Sequence, residues 1–246
     1  MADEVPSDRG SIAFIPLEAN PELMTTLLHS LGLRKSLAMH DVYSLTDRDL
    51  LSFIPGPAHA LLLVFPVNAA YTSHRLAEDA TLPVYEGSGE DEPVLWFRQT
   101  IRNACGLMGL LHAVANGGAR KEIEPGSKLD QLLKEAVPLA PAERTKLLET
   151  SQALARAHHS AASQGDTLAP QATDDVDLHY VCFVKGDDGT LWELDGNRRG
   201  PLDRGRLEAD EDILSEKALT LGPRRFFEWG GEDIRFNAVA LARSLD

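Results

Sequence analysis

Ala60-Leu-Leu-Leu-Val-Phe-Pro66 is an unbroken apolar run of strand length. A strand that is apolar at every position, rather than at alternate ones, has both faces covered by protein. The run therefore predicts a buried central strand. A second strand signal follows at His179-Tyr-Val-Cys-Phe-Val184, then an Asp187-Asp-Gly189 turn, then the return segment Thr190–Asp195. This is the pattern of an antiparallel hairpin. Helical segments account for much of the remaining apolar sequence. The chain reads as α+β, a central antiparallel sheet flanked by helices. With 246 residues, 43% of them hydrophobic, it can build one substantial core, and residues 1–246 are expected to form one domain.

Local signals order the helices. Asn20-Pro21 opens one by the cap-then-proline rule and Gly32 ends it. Asp47 begins a short helix before Pro55. Further helices are expected over Ala69–Leu82, Ser127–Ala136, Pro141–His158 and Asp210–Leu219. Ser11–Leu17 and Asp41–Leu45 read as extended, and the apolar Phe236–Leu245 is expected to dock against the core. Residues 1–10 read as a loose leader and Gly87–Pro93 as a polar, turn-rich loop. Ala161–Asp177 has no apolar periodicity. Loops of that length in a compact domain are uncommon and often serve as lids.

The formal net charge is −14, which argues against nucleic acid or anionic membrane as partners. The two cysteines make no disulfide framework, and no Cys/His quartet has zinc spacing. A structural metal is therefore not expected. The acidic N-terminus lacks an apolar h-region, and the longest apolar stretch, Ala58–Val67, is too short to span a membrane. The expected location is the cytoplasm or nucleus, where thiols stay reduced.

Gln99-Thr-Ile-Arg-Asn-Ala-Cys-Gly-Leu-Met-Gly-Leu-Leu-His-Ala-Val-Ala-Asn116 holds the first cysteine. Leu107, Leu110, Leu111 and Val114 follow at the spacing of one helix face, with Asn103 as the expected N-cap and Gly117-Gly118 as the stop. Cys105 then sits in the first turn, where free N–H groups and the helix dipole favour a thiolate. A cysteine nucleophile needs a base, usually a His oriented by a carboxylate. The hairpin offers His179 and Asp195, which pairing centred on residue 187 would set side by side. A cysteine on a helix and a His/Asp pair on a sheet is the arrangement of papain-like thiol peptidases.

The block Gln99–Asn116 closely resembles the active-site block of the ubiquitin carboxyl-terminal hydrolases, small thiol deubiquitinases. Pro16-Leu-Glu-Ala-Asn-Pro-Glu22 is similar to the family's N-terminal ubiquitin-contacting segment, and Asp177-Leu-His-Tyr180 to its histidine block. Leu191-Trp-Glu-Leu-Asp-Gly196 resembles its aspartate block, and Arg235-Phe-Asn-Ala-Val-Ala-Leu241 its C-terminal strand. The blocks stand in family order. The resemblance implies Cys105 as nucleophile, His179 as general base and then acid, and Asp195 as its orienting partner. It also implies Gln99, six residues before the cysteine, as oxyanion donor beside the Cys105 N–H. The implied activity is hydrolysis after the terminal glycine of ubiquitin through a thioester, releasing small or flexible groups, without metal or cofactor.

The family likeness further implies that residues 161–177 form the active-site crossover loop and that the backbone is knotted. Ubiquitin, through its C-terminal tail and adjoining face, is the implied partner of a monomeric enzyme. Expected contacts are Pro16, Leu17, Glu18, Ala19, Asn20 and Pro21 in the first segment. Ala162, Ser163, Gln164, Gly165, Asp166, Thr167, Leu168 and Ala169 would follow from the loop, and Ile234, Arg235, Phe236, Asn237 and Ala238 from the end of the chain. The sequence departs from the family after Asp195-Gly196, where Asn197 stands in place of an expected basic residue. The end at Asp246 resembles the short members.

Other residues read as structural. Cys182 lies mid-strand and belongs to the core. His112 is two helical turns from Cys105, too far to be its base. Adjacent His158 and His159 point apart on a helix, which suits solvated surface. Asp187 and Asp188 form a turn. Two rival functions are the same chemistry on another ubiquitin-like modifier and a non-catalytic ubiquitin-binding module. The latter has no need of Gln99, Cys105, His179 and Asp195 together.

Overall fold

The computed structural model describes residues 13–165, 177–231 and 233–245. The elements in chain order are α1 Pro21–Leu31, β1 Leu37–Asp41, α2 Arg48–Leu51, β2 Ala60–Pro66, α3 Ala69–Ala80, α4 Cys105–Ala115 and α5 Gly117–Arg120. Then come α6 Lys128–Ala136, α7 Pro141–Thr150, α8 Gln152–Ala162, β3 Leu178–Lys185, β4 Thr190–Leu194, β5 Leu202–Arg206, α9 Glu216–Leu221, α10 Phe227–Gly230 and β6 Asn237–Arg243. The strands make one six-stranded sheet in the order β1-β6-β2-β3-β4-β5, with every neighbouring pair antiparallel. The expected α+β fold class holds. No helix among the described residues is long and apolar enough to cross a membrane.

β2 is buried at all seven positions, as its composition required. Leu62 and Val64 face one core with α1 and α4, while Leu61, Leu63 and Phe65 face a second core with α9 and Phe226. β6, the strand that the family resemblance implied, enters the sheet between β1 and β2. Its interior residues Ala238–Ala242 are buried, and the small alanines leave room for both covering layers. α4 lies along the face over β2 and β3 rather than against one end of the sheet. Gly106 and Gly109 approach Tyr180, and Gly117 comes against the Lys185 carbonyl.

Several boundaries differ from expectation. The strand assigned to Asp41–Leu45 lies earlier, at Leu37–Asp41. The segment 141–158 is two helices, because Ser151 turns extended and caps α8 through the Leu154 N–H. The expected loop at 161 starts later, since α8 continues to Ala162. The expected helix 210–219 is confined to α9, capped by Ser215. The leader 1–10 and most of the crossover loop, residues 166–176, lie outside the described residues. So does part of the backbone path on which the implied knot depends.

The irregular stretch between α3 and α4 is fixed by buried polar side chains. Arg144 of α7, fully buried, pairs with Glu92 and donates to the carbonyls of Ala136, Trp96 and Val137 at 2.9, 3.3 and 3.1 Å. Asn116 accepts from the Leu95 N–H at 2.7 Å and donates back to its carbonyl at 3.0 Å, standing in for a neighbouring strand. His112, 1% exposed, accepts the Phe97 N–H at 3.0 Å and meets the Leu194 backbone. It thus ties α4 to the residues on either side of the candidate site.

Burial keeps the His112 ring neutral, lowering its pKa from 6.5 to about 4. Between these values the unfolded chain binds a proton that the folded one refuses, so stability falls with falling pH, by up to roughly 3 kcal/mol from this group. Buried His158 and half-buried His59, lowered by the same cause, act in the same direction. His112→Gln should show a shallower loss of stability between pH 6.5 and 4 in urea melts than the wild type. Equal slopes would show that His112 does not titrate on unfolding.

Candidate active site

Cys105 is the first residue of α4, at half exposure. The expected cap is displaced by one residue. Ala104 occupies the N-cap without a side-chain hydrogen bond, and Asn103 adopts a positive φ of 59°. The N–H groups of the first turn are therefore not taken by a cap side chain. At the other end Asn116, not the Gly pair, terminates the helix, and Gly117 starts α5. All of Gly106–Ala115 is buried, so the helix is covered around its circumference rather than on one face. A Cβ on Gly106 would lie 3.0 Å from the Leu17 side chain and 3.4 Å from the Tyr180 ring, so the residue after the cysteine has to be small. Tyr180 donates its hydroxyl to the Leu17 carbonyl at 2.8 Å, which fastens the N-terminal segment beside the sulfur.

His179 and Asp195 meet, but not as direct cross-strand partners. The ladder pairs Cys182 with Leu194 and Phe183 with Glu193, so the hairpin is centred on residue 188 rather than 187. His179 is then diagonal to Asp195, two positions beyond the residue directly opposite, and the two still share a face. His179 Nε2 lies 2.8 Å from Asp195 Oδ1, and the ring also hydrogen-bonds the Cys105 side chain. Its other flank packs edge-on to Phe65, with ring centroids 5.8 Å apart.

Both groups of the pair are nearly inaccessible, His179 at 7% and Asp195 at 1%. Burial alone would lower the His179 pKa. The charge and hydrogen bond of Asp195, with the contact to Cys105, outweigh it and hold the ring's proton more tightly than usual. Burial alone would raise Asp195. The His179 charge and hydrogen bond and the Asn197 N–H outweigh it and keep the carboxyl below its ordinary value.

Three supports around Asp195 were not read from the sequence. The Asn197 N–H donates to Oδ1 at 2.8 Å, the Tyr71 hydroxyl to Oδ2 at 3.4 Å, and the Trp96 indole N–H to the Asp195 carbonyl at 3.1 Å. Tyr71 comes from α3, whose Glu78 and Asp79 also pair with buried Arg198. The departure at Asn197 thus leaves a basic residue at the next position, directed inward to α3 rather than outward. Trp96 lay within the approach to the active-site block, but nothing local marked its partner.

Gln99 is half-buried. Its N–H donates to the Gly196 carbonyl at 2.9 Å, and a Cβ on Gly196 would lie 2.8 Å from that of Gln99. Gln99 Oε1 is buried without a hydrogen-bond partner among the described residues.

A cleft of about 380 Å³ opens at Cys105. Of the expected contact residues, Pro16, Leu17, Glu18, Ala19, Ala162, Gly165, Arg235, Phe236 and Asn237 line it. Ser163, Gln164, Pro21, Ile234 and Ala238 do not, and Asn20 caps α1 with its side chain. Ile234 is 91% exposed, whereas Ala238 is buried in β6. Asp166, Thr167, Leu168 and Ala169 lie outside the described residues. His158 is a correction: it is 1% exposed, stacked on Phe14, and bonded to the Ile15 carbonyl at 2.8 Å, while His159 is exposed. Cys182 is fully buried, as expected. No cluster of three or more metal-ligating side chains occurs among the described residues.

Residues 14–223 match the family described as ubiquitin carboxyl-terminal hydrolase, family 1. The chain is 37% identical over 229 residues to ubiquitin carboxyl-terminal hydrolase isozyme L1 of Rattus norvegicus, covering 93% of this chain and 98% of the relative. It is 36% identical over 235 residues to ubiquitin carboxyl-terminal hydrolase YUH1 of Saccharomyces cerevisiae, covering 93% and 94%. The catalytic domain of Trichinella spiralis UCH37, solved bound to ubiquitin vinyl methyl ester, superposes with a TM-score of 0.71 over 94% of this chain and 95% of that one. At 21% identity it attests the fold. With sequence likeness spanning nearly the whole chain and the same fold around Cys105, this protein belongs to ubiquitin carboxyl-terminal hydrolase family 1.

Proposed function

We propose that this chain is a cysteine-type deubiquitinating hydrolase that cleaves the bond after the C-terminal glycine of ubiquitin. The observation that carries the reading is the continuous contact from Cys105 through His179 to Asp195. Family membership supports the reaction. The relative solved with ubiquitin vinyl methyl ester supports ubiquitin as the partner.

The chemistry follows from the charges. The Cys105 thiolate attacks the carbonyl carbon of the terminal ubiquitin glycine, and the carbonyl electrons move onto oxygen. The Cys105 N–H and the Gln99 side-chain amide receive that oxyanion. The C–N bond breaks as the imidazolium of His179 gives its proton to the departing amine, leaving a thioester on Cys105. Water then attacks the thioester and gives a proton to His179. The C–S bond breaks, releasing the ubiquitin carboxylate and regenerating the thiolate. Asp195 keeps the imidazolium charged and aligned in both halves. The cleft lined by Leu17, Tyr180 and Phe236 suits an extended tail that leads to the sulfur.

Cys105→Ala should abolish hydrolysis of a fluorogenic ubiquitin C-terminal amide yet retain ubiquitin binding, measured by calorimetry. Residual turnover by this variant would sink the mechanism. Gln99→Ala should lower kcat by on the order of 10²–10³ with little change in ubiquitin affinity. The pH dependence carries a definite sign. Asp195 raises the His179 pKa, so the loss of kcat/KM at alkaline pH, as the ring gives up its proton, should occur well above neutrality. Asp195→Asn should move that alkaline limb to lower pH. An unmoved limb would remove His179 from the role of proton donor.

A further inference from the structure

A second cavity, of about 810 Å³, has Gln99 in its lining, which the tail cleft does not. Its volume falls within the roughly 300–1,000 Å³ of typical ligand sites. It shares no lining residue with the cleft at Cys105, yet it begins where the candidate machinery ends. Gln99 lines it, and so does Gly196, the residue after Asp195. The backbone bond from Gln99 to Gly196, 2.9 Å, joins the two at the cavity edge.

We propose that this cavity receives the leaving group, and that it favours amines at the head of an acidic peptide. The inference rests on the hydrolase reading above. In the tetrahedral intermediate the ubiquitin tail occupies one side of the reacting carbon and the amine must depart on another. Gln99 holds the oxyanion between them, and His179, anchored next to Gly196 through Asp195, delivers the proton to the amine. The cavity is lined by Gln99 and by Gly196, which follows the His179 partner Asp195, and this gives the chain beyond the scissile nitrogen a route into it.

The charge of the cavity sets the preference. The molecule as a whole carries −14, but three arginines line this one space, Arg98, Arg198 and Arg199. Arg198 is buried and its charge is spent on Glu78 and Asp79. Arg98 and Arg199 are exposed, and Arg199 is steadied by donating to the Leu82 carbonyl at 3.0 Å. Among the described lining residues Glu86 supplies the one carboxylate, exposed at the rim. Two exposed guanidiniums against one carboxylate leave an excess of positive charge, with planar donors suited to a carboxylate. Asn197, standing between Gly196 and the arginines, adds an amide without a charge.

The test measures kcat/KM for ubiquitin extended by Glu-Glu-amide, by Ser-Gly-amide and by Lys-Lys-amide, alongside ubiquitin methyl ester. The capped ends confine the charge difference to the side chains. The acidic extension should be cleaved about fivefold faster than the neutral one, as expected of two partly screened contacts, and the ratio should shrink with added salt. Arg98→Ala/Arg199→Ala should bring the acidic-to-neutral ratio close to one. Arg98→Glu should favour the Lys-Lys extension instead. Because each readout is a ratio within one preparation, a fraction of misfolded protein does not alter it. Equal rates for the three extensions in the wild type, or a ratio unmoved by the double substitution, would overturn the subsite while the ester is still hydrolysed. Failure to hydrolyse the ester would overturn the hydrolase reading itself, and the subsite with it.

Discussion

The contact between His179 and Asp195 is the interaction around which the site is built. Two ionisable groups this deeply buried cost several kcal/mol each in lost hydration, and only close pairing with further hydrogen bonds offsets that cost. The surrounding structure supplies those bonds. The Asn197 N–H shares Oδ1 with the imidazole, and Tyr71 approaches Oδ2. Trp96 grips the Asp195 carbonyl, so the backbone as well as the side chain is held. The result is an imidazole that keeps its proton and a sulfur within its reach, the electrostatic state a thiol nucleophile needs.

That arrangement depends on elements far apart in the chain. The sheet brings β3 and β4 together by ladder hydrogen bonds, and α4 lies across their face. Gln99 has no ladder to place it. It sits on an irregular stretch held by Arg144 with Glu92, by Asn116 against Leu95, and by His112 against Phe97. Buried polar groups can do this because each is satisfied: Arg144 spends its donors on three carbonyls and one carboxylate. α3 supports the opposite flank, pairing Glu78 with both Arg198 and Arg204, and Arg204 in turn with Glu193 of β4.

Much of this was legible where the signal is local. Asn20, Asp47 and Ser127 each cap the helix that their neighbours announce, because capping is decided within three residues. β2 was legible because a strand covered on both faces has no polar alternation. The misreadings have equally definite causes. Ser151 breaks a helix that composition would continue, since Ala and Leu on both sides favour helix and only the cap itself marks the break. The hairpin was placed one residue early because several turns fit Asp187-Asp-Gly189, and the ladder, not the turn, chose the register. His158 looked solvated because its partners, Phe14 and Ile15, are more than 140 residues away.

The sequence by itself determined the chemical parts. It placed a cysteine at a helix start, a histidine on one strand and an aspartate at the end of the next, because these depend on residue type and short-range pattern, while the glutamine upstream came from the family resemblance. Tertiary structure decided how the parts are joined. It inserted β6 into the sheet, set His179 diagonal to Asp195, and brought Tyr71 and Trp96 to the carboxylate. It also placed a separate cavity beside Gln99. Those outcomes follow from packing and from pairing buried charge, which bind residues by their position in space. No window of sequence contains both partners.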